Sequence, residues 1–218
     1  MKRIKSLKFA LGGLALAGAG VVVYRRLVGN MPCPSSLTFL LDNPYFNRVA
    51  GPELLLDRAG VGPGMRVLDA GCGPGRITVE AARRVGPGGE VVALDIQQAM
   101  LDKVRAKLDA GNIGNVRLVR AGIGEGLLEL ESFDRAFLVT VLGEVPDKAA
   151  ALREIYAALK PGGILSITEV LPDPDFQTPQ TIQRLAGDSG FVEDRLIGGL
   201  PAFTMNLLKP ESRSGSAP

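Results

Sequence analysis

The run MRVLDA (65–70) leads straight into Gly71-Cys72-Gly73-Pro74-Gly75, and the residues behind it keep helical spacing up to a second breaker, Gly86-Pro87-Gly88-Gly89. A short apolar run closed by an acid and then by glycines reads as a buried strand feeding a tight turn. A helix opens directly after it, over 75–85. Glycines in such a turn admit a ligand to the backbone where a Cβ would stand in the way, and the helix start offers unpaired N–H groups. Few folds hold a unit like this, and the chain downstream narrows them further.

The same alternation continues. EVVALD (90–95) is a second strand and IQQAMLDKVRAKLDA (96–110) an amphipathic helix stopped by Gly111. VRLVRA (116–121) and FDRAFLVTVL (133–142) read as strands three and four, DKAAALREIYAALK (147–160) as a helix stopped by Pro-Gly-Gly, and GILSITEV (163–170) as strand five. A helix over 178–189 and strands over 191–197 and 202–208 complete the pattern. Strands alternating with helices predict a doubly wound, Rossmann-like α/β fold, a mostly parallel sheet covered on both faces. The predicted domain spans 64–209; residues 31–63 connect to it, and 210–218 form a disordered tail.

Asp95 stands at the tip of strand two, twenty residues after Gly75. An acid there can accept both hydroxyls of a ribose, so the glycine loop and Asp95 together describe a site for an adenosine-containing cofactor. The glycines read G-x-G-x-G, not the G-x-G-x-x-G of dinucleotide folds, and Asp69 sits beside them. A carboxylate suits an ammonium or a sulfonium better than a phosphate.

With these residues in view, VLDAGCGPGR resembles the first motif of class I S-adenosylmethionine-dependent methyltransferases. ALDI resembles their second strand, FDRAFLVTVLGEVPD their fourth, and LKPGGILSITE the turn into the fifth, over about residues 62–209. The likeness is broadly to the ubiquinone and menaquinone biosynthesis methyltransferases. It implies a seven-stranded sheet with an antiparallel last strand and S-adenosyl-L-methionine as cofactor. By the same resemblance Asp69, Gly71 and Gly73 face the methionine end, and Cys72 and Gly75 complete the cofactor-binding loop. Asp95 holds the ribose, Ile96 and Gln97 lie at the adenine, and Thr140 and Val141 line the methyl path. Relatives usually carry an acid after strand three; here Arg120-Ala121-Gly122-Ile123 has none, which leaves the backbone of Gly122 and Ile123 for the adenine.

The chain has no histidine. That excludes an imidazole base, a Ser-His or Cys-His pair and a His-ligated metal within it. Cys33 and Cys72 are too few for a metal site, and none is expected. Methyl transfer needs mainly alignment, because the cofactor already carries the activated group. An acceptor that does not ionise easily needs a base from Glu, Asp, Lys or Tyr. Many relatives carry a His at the place of Gly143; the adjacent Glu144 is the first candidate and Glu169, at the end of strand five, the second. Leu37, Phe39, Leu40, Tyr45 and Phe46 form a lid over the acceptor or simply cover the sheet edge.

The charge is divided. Residues 1–30 hold six basic residues and no acid, while the remainder holds 19 basic against 23 acidic residues. The body is thus mildly acidic and offers nothing to a nucleic-acid backbone. Phe9–Tyr24 is uncharged and reaches twenty residues if Arg25 and Arg26 snorkel and the segment extends to Val28. At ~1.5 Å per residue that spans a bilayer core of ~30 Å. Residues 9–28 are therefore expected to anchor the chain in a membrane, with a signal peptide or a docked helix as alternatives. The expected whole is a membrane-anchored methyltransferase, its catalytic domain in the cytoplasm, acting on a small hydrophobic acceptor: a quinone-like ring, a lipid, a thiol or a phenol. A soluble methyltransferase and a non-catalytic cofactor-binding scaffold are the competing readings.

Overall fold

A computed structural model of the chain describes residues 44–211. The expected anchor over 9–28, Cys33, and Leu37, Phe39 and Leu40 lie outside the described residues. Among the described residues no helix is long and apolar enough to cross a membrane.

The elements run α1 (Pro44–Ala50), α2 (Pro52–Arg58), β1 (Arg66–Ala70), α3 (Arg76–Val85), β2 (Glu90–Asp95), α4 (Gln98–Ala110), β3 (Val116–Arg120), β4 (Phe133–Val139), α5 (Lys148–Ala158), β5 (Leu159–Val170), α6 (Pro179–Asp188), β6 (Val192–Gly199) and β7 (Ala202–Leu208). They build one seven-stranded sheet in the order β3-β2-β1-β4-β5-β7-β6. β1 to β5 pair in parallel, and β7 lies antiparallel between β5 and β6. The strand order reverses between β1 and β4. A crevice opens at such a switch point, outside the carboxyl ends of the strands.

Alternation along β1 shows how the two faces are filled. Leu68 and Ala70 belong to a core cluster with Leu152 and Ile155 of α5 and Ile182 of α6. Val67 instead packs with Ile77, Ala81 and Val85 of α3 and with Leu55 and Leu56 of α2. A third cluster joins Cys72 and Ala93 to Leu101, Val104 and Leu108 of α4. The segment expected to connect and to form a lid thus also supplies two fully buried leucines, Leu55 and Leu56, to the core.

Element ends differ from the sequence reading for local reasons. Strand four was expected to reach residue 142 but stops at Val139, because Thr140 takes a left-handed φ of 54°. The helix expected to reach Lys160 ends at Ala158, since Pro161 disfavours helical backbone at the residue before it. β5 then starts at Leu159, and the pairing skips from Phe133–Leu159 to Arg135–Ile164 to absorb Pro161-Gly162-Gly163. α4 begins at Gln98 rather than at residue 96, which leaves Ile96 and Gln97 at the strand tip.

Candidate active site

The glycine turn after β1 is tied to the end of β2: the N–H groups of Gly71 and Cys72 both donate to the Leu94 carbonyl, at 2.7 and 3.0 Å. Gly71 has φ 74°, and a Cβ there would lie 2.7 Å from both methyls of Val141, so glycine is required twice over. Val141 belongs to the turn after β4, and this contact fixes the two carboxyl-end turns against each other. Gly73, by contrast, has nothing within 4 Å of a would-be Cβ and faces open space. Gly75 precedes α3 with φ 83° and packs against Val104 of α4. Cys72 turns into the α4 cluster, where burial pushes its thiol up and keeps it protonated.

Asp69 points to the α3 side of the sheet. Its Oδ2 accepts from the Thr78 hydroxyl at 2.5 Å, and burial lifts its carboxyl to about 6 against the pull of that bond, with the neighbouring Asp95 charge adding to the rise. Asp95 accepts the Gly73 N–H on Oδ2 (2.9 Å) and the Gln97 N–H on Oδ1 (2.8 Å). Its own carboxyl is also raised by burial, with the two N–H donors working against it. Each oxygen keeps a lone pair for a further donor. The glycine turn, Asp95 and Gln97 therefore form one connected cradle.

Beside it, Ile96 stands 53% exposed, a flat apolar surface at the tip of β2. Across from it, Gly122 and Ile123 follow β3. A Cβ on Gly122 would lie 2.6 Å from Oε1 of Glu125, so a carboxyl does stand at this end, supplied by Glu125. The loop is braced from α5, where Glu154 accepts from the N–H groups of Gly124, Leu127 and Leu128 at 2.5, 2.7 and 3.0 Å. Sequence reasoning missed Thr78, Glu125 and Glu154. Only Thr78 left a signal: it lies nine residues after Asp69, in the first turn of a helix.

On the other side of the crevice, the Thr140 N–H donates to the Thr168 carbonyl at 2.8 Å and turns the chain away from the sheet. Glu144 follows, its N–H bonded to the Val141 carbonyl at 3.0 Å. At Gly143 no side chain fits, because a Cβ would sit on the Asp175 carbonyl oxygen. Glu169, one residue beyond the Val139–Thr168 pair, is 1% exposed. α1 closes over the same edge: Tyr45 donates to the Leu171 carbonyl at 3.1 Å, and Arg76 at the start of α3 donates to Asn47 at 2.7 Å. Phe46 packs into the α2–α3 cluster. The described part of the expected lid therefore bridges the end of β5 and the end of the glycine turn.

Residues 62–188, more than half of the chain, match the family described as "Methyltransferase domain". The chain belongs to that family. Among curated relatives of this methyltransferase, the ubiquinone/menaquinone biosynthesis C-methyltransferase UbiE of Idiomarina loihiensis is 46% identical over 115 residues, covering 52% of this chain and 46% of the relative. The protein of the same name from Vibrio vulnificus is 42% identical over 115 residues, covering 52% of this chain and 44% of the relative. The chain thus spans about half the length of the curated relatives it matches. In fold, the methyltransferase is similar to a crystal structure of a SAM-dependent methyltransferase from Aquifex aeolicus, with a TM-score of 0.74 at 24% identity, covering 81% of this chain and 99% of that one. The [4+2]-cyclase SpnF shares the fold at TM-score 0.66 and 17% identity, over 74% of this chain and 80% of that one. Family and fold together make residues 62–188 a methyltransferase domain on the fold of S-adenosylmethionine-dependent methyltransferases. The cradle fits that cofactor: open space at Gly73, a carboxylate with spare lone pairs at Asp95, and an exposed apolar platform at Ile96.

Proposed function

We propose that this methyltransferase moves the methyl group to a small, apolar, hydroxylated ring of quinone-like character. The observation that carries the reading is the Gly71–Val141 contact. It packs the glycine turn closely against the turn that bears Thr140 and Glu144, which supports a donor and an acceptor side meeting at one crevice. The relatives' name as quinone-biosynthesis C-methyltransferases supports the acceptor class.

In this reading Gly71, Gly73 and Gly75 leave backbone open to the methionine end, and Asp69, locked by Thr78, sets the turn. Asp95 takes the ribose hydroxyls, Ile96 covers the adenine, and Gln97, Gly122 and Ile123 border it. The cofactor supplies an activated methyl group, and the chain aligns it and keeps water out. Cys72 serves only packing. Thr140 and Val141 shape the methyl path, and Glu144 contributes a carboxylate on the acceptor side.

The N-terminal segment fits the same picture. We place residues 9–28 in a membrane and the catalytic domain in the cytoplasm, where the cofactor is made, so that an acceptor dissolved in lipid is presented to α1. Release of the full chain from membranes by high salt alone would remove this part of the reading. The main test is transfer of labelled methyl from S-adenosylmethionine into a total lipid and small-molecule extract, with the product identified. A labelled hydroxylated ring is expected; label confined to a thiol or an amine would overturn the acceptor class.

A further inference from the structure

At the carboxyl edge of β5 a carboxyl group is buried without a full set of partners. Oε2 of Glu169 accepts one long bond, from the Gln177 N–H at 3.3 Å, and Oε1 has no hydrogen-bond partner among the described residues. A buried acceptor left unmatched is costly, and a buried charge more so. In a native fold such a group usually has work to do or a missing partner to meet. Its place is specific. Glu169 lies beside Thr140, where β4 ends, and under the loop 171–177 that presses on Gly143. These are the carboxyl ends of β4 and β5, the side of the crevice to which the proposed function assigns the acceptor.

The charged groups around it are mixed. Asp173 of the overlying loop and Glu144 of the β4–α5 turn favour its protonated form, and Lys148 of α5 opposes them. Lys148 also donates to the Val145 carbonyl at 2.9 Å, which holds its ammonium at the start of α5. β7 presents Phe203 opposite Glu169. Burial, against the pull of the Gln177 N–H bond and with the two acids adding to it, lifts the carboxyl to about 8. A proton acceptor works best with a proton affinity near the working pH.

We propose that Glu169, covered in this structure by the loop 171–177, takes the hydroxyl proton of the ring acceptor on Oε1 when the acceptor displaces that loop, with Glu144 nearby as a positioning charge. The step rests on the acceptor class proposed above. The acceptor O–H bond breaks and its proton passes to the Glu169 carboxylate, leaving the electron pair spread over the ring. The ring carbon next to that oxygen forms the C–CH3 bond as the methyl–sulfur bond breaks and the pair returns to sulfur. The proton on the methylated carbon then leaves to water, and the Glu169 carboxyl returns its proton to the ring oxygen. One proton is released overall, and the carboxylate is restored.

The test uses the full chain with two probes: a 1,4-naphthohydroquinone with a free ring carbon, and a thiophenol, which ionises without help. For the hydroquinone, kcat/KM should rise with pH to a plateau above about 8. Glu169→Gln should lose on the order of 100-fold or more with the hydroquinone and lose the pH dependence. With the thiophenol it should lose little. A merely structural role would lower both alike. Carbon-13 NMR of the glutamate carboxyls in the protein without cofactor gives an independent reading, with the signal absent from Glu169→Gln titrating near 8. Because glutamine keeps the shape and removes the charge, the variant should fold, as its melting curve will show. A Glu169 signal titrating in the ordinary glutamate range, or equal losses with both probes, overturns the step alone. Wild-type protein that binds S-adenosylmethionine but does not methylate the hydroquinone overturns the acceptor class and the step with it.

Discussion

Gly143 shows how a single position can settle which chemistry is open. The sequence places it where many relatives carry a histidine, and the structure explains why no side chain stands there: Asp175 packs its carbonyl oxygen into that space. With no imidazole there, a base has to come from another side chain, and Glu144 and Glu169 are the carboxylates placed at this edge. The same packing makes a prediction. Gly143→Ala forces the loop 171–177 outward, at a cost of about 1–3 kcal/mol as for other overpacked sites. Denaturant unfolding should show it as a lower midpoint with an unchanged slope. An unchanged midpoint would mean that the loop yields freely.

At the scale of elements, loops do most of the positioning. Glu154 of α5 gathers the N–H groups of Gly124, Leu127 and Leu128 and so braces the segment that follows Gly122 and Ile123. Glu154→Ala should leave the helix in place and free that segment. Affinity for S-adenosylmethionine is expected to fall about tenfold, with amide exchange of Gly124, Leu127 and Leu128 accelerated; exchange at wild-type rates would contradict the brace. This contact also shows what the sequence could carry. The strands and helices were readable because each is periodic over many residues, and the cradle was readable because MRVLDAGCGPGR is contiguous with its own turn chemistry. Glu154 was not, because it acts thirty residues downstream on a loop with no pattern of its own. The early end of β4 was hidden for a related reason. Thr140 adopts its left-handed turn because of its surroundings, while FDRAFLVTVL by itself reads as unbroken strand. Asp69 was visible as an acid beside the glycines, but its lock by Thr78 became clear only once β1 alternation turned it toward α3.

Over the whole molecule, two buried carboxyls tie stability to pH. The folded chain holds protons on Asp69 up to about 6 and on Glu169 up to about 8, whereas the unfolded chain gives both up near their ordinary values of 3.8 and 4.5. Between those limits the folded state binds more protons, so stability falls as pH rises. The contribution is complete below about 4 and is lost as pH climbs through about 8. Thermal melts from pH 5 to 9 should decline, and Glu169→Gln should flatten the decline above pH 6. Equal slopes for the two proteins would contradict the burial of an acid form at Glu169. The charge division of the sequence belongs to this scale as well. The mildly acidic body carries the cradle, and the basic, apolar start carries the proposed anchor.

All of this turns on one cradle, made by the glycine turn, Asp95 and Ile96. Isothermal titration of the protein with S-adenosylmethionine and with its demethylated product, S-adenosylhomocysteine, tests it without any assumption about the acceptor. One site per chain is predicted for each, and Asp95→Ala, which removes the ribose acceptor, should weaken both by at least tenfold. Absence of binding by both compounds, or wild-type affinity in Asp95→Ala, would contradict the account.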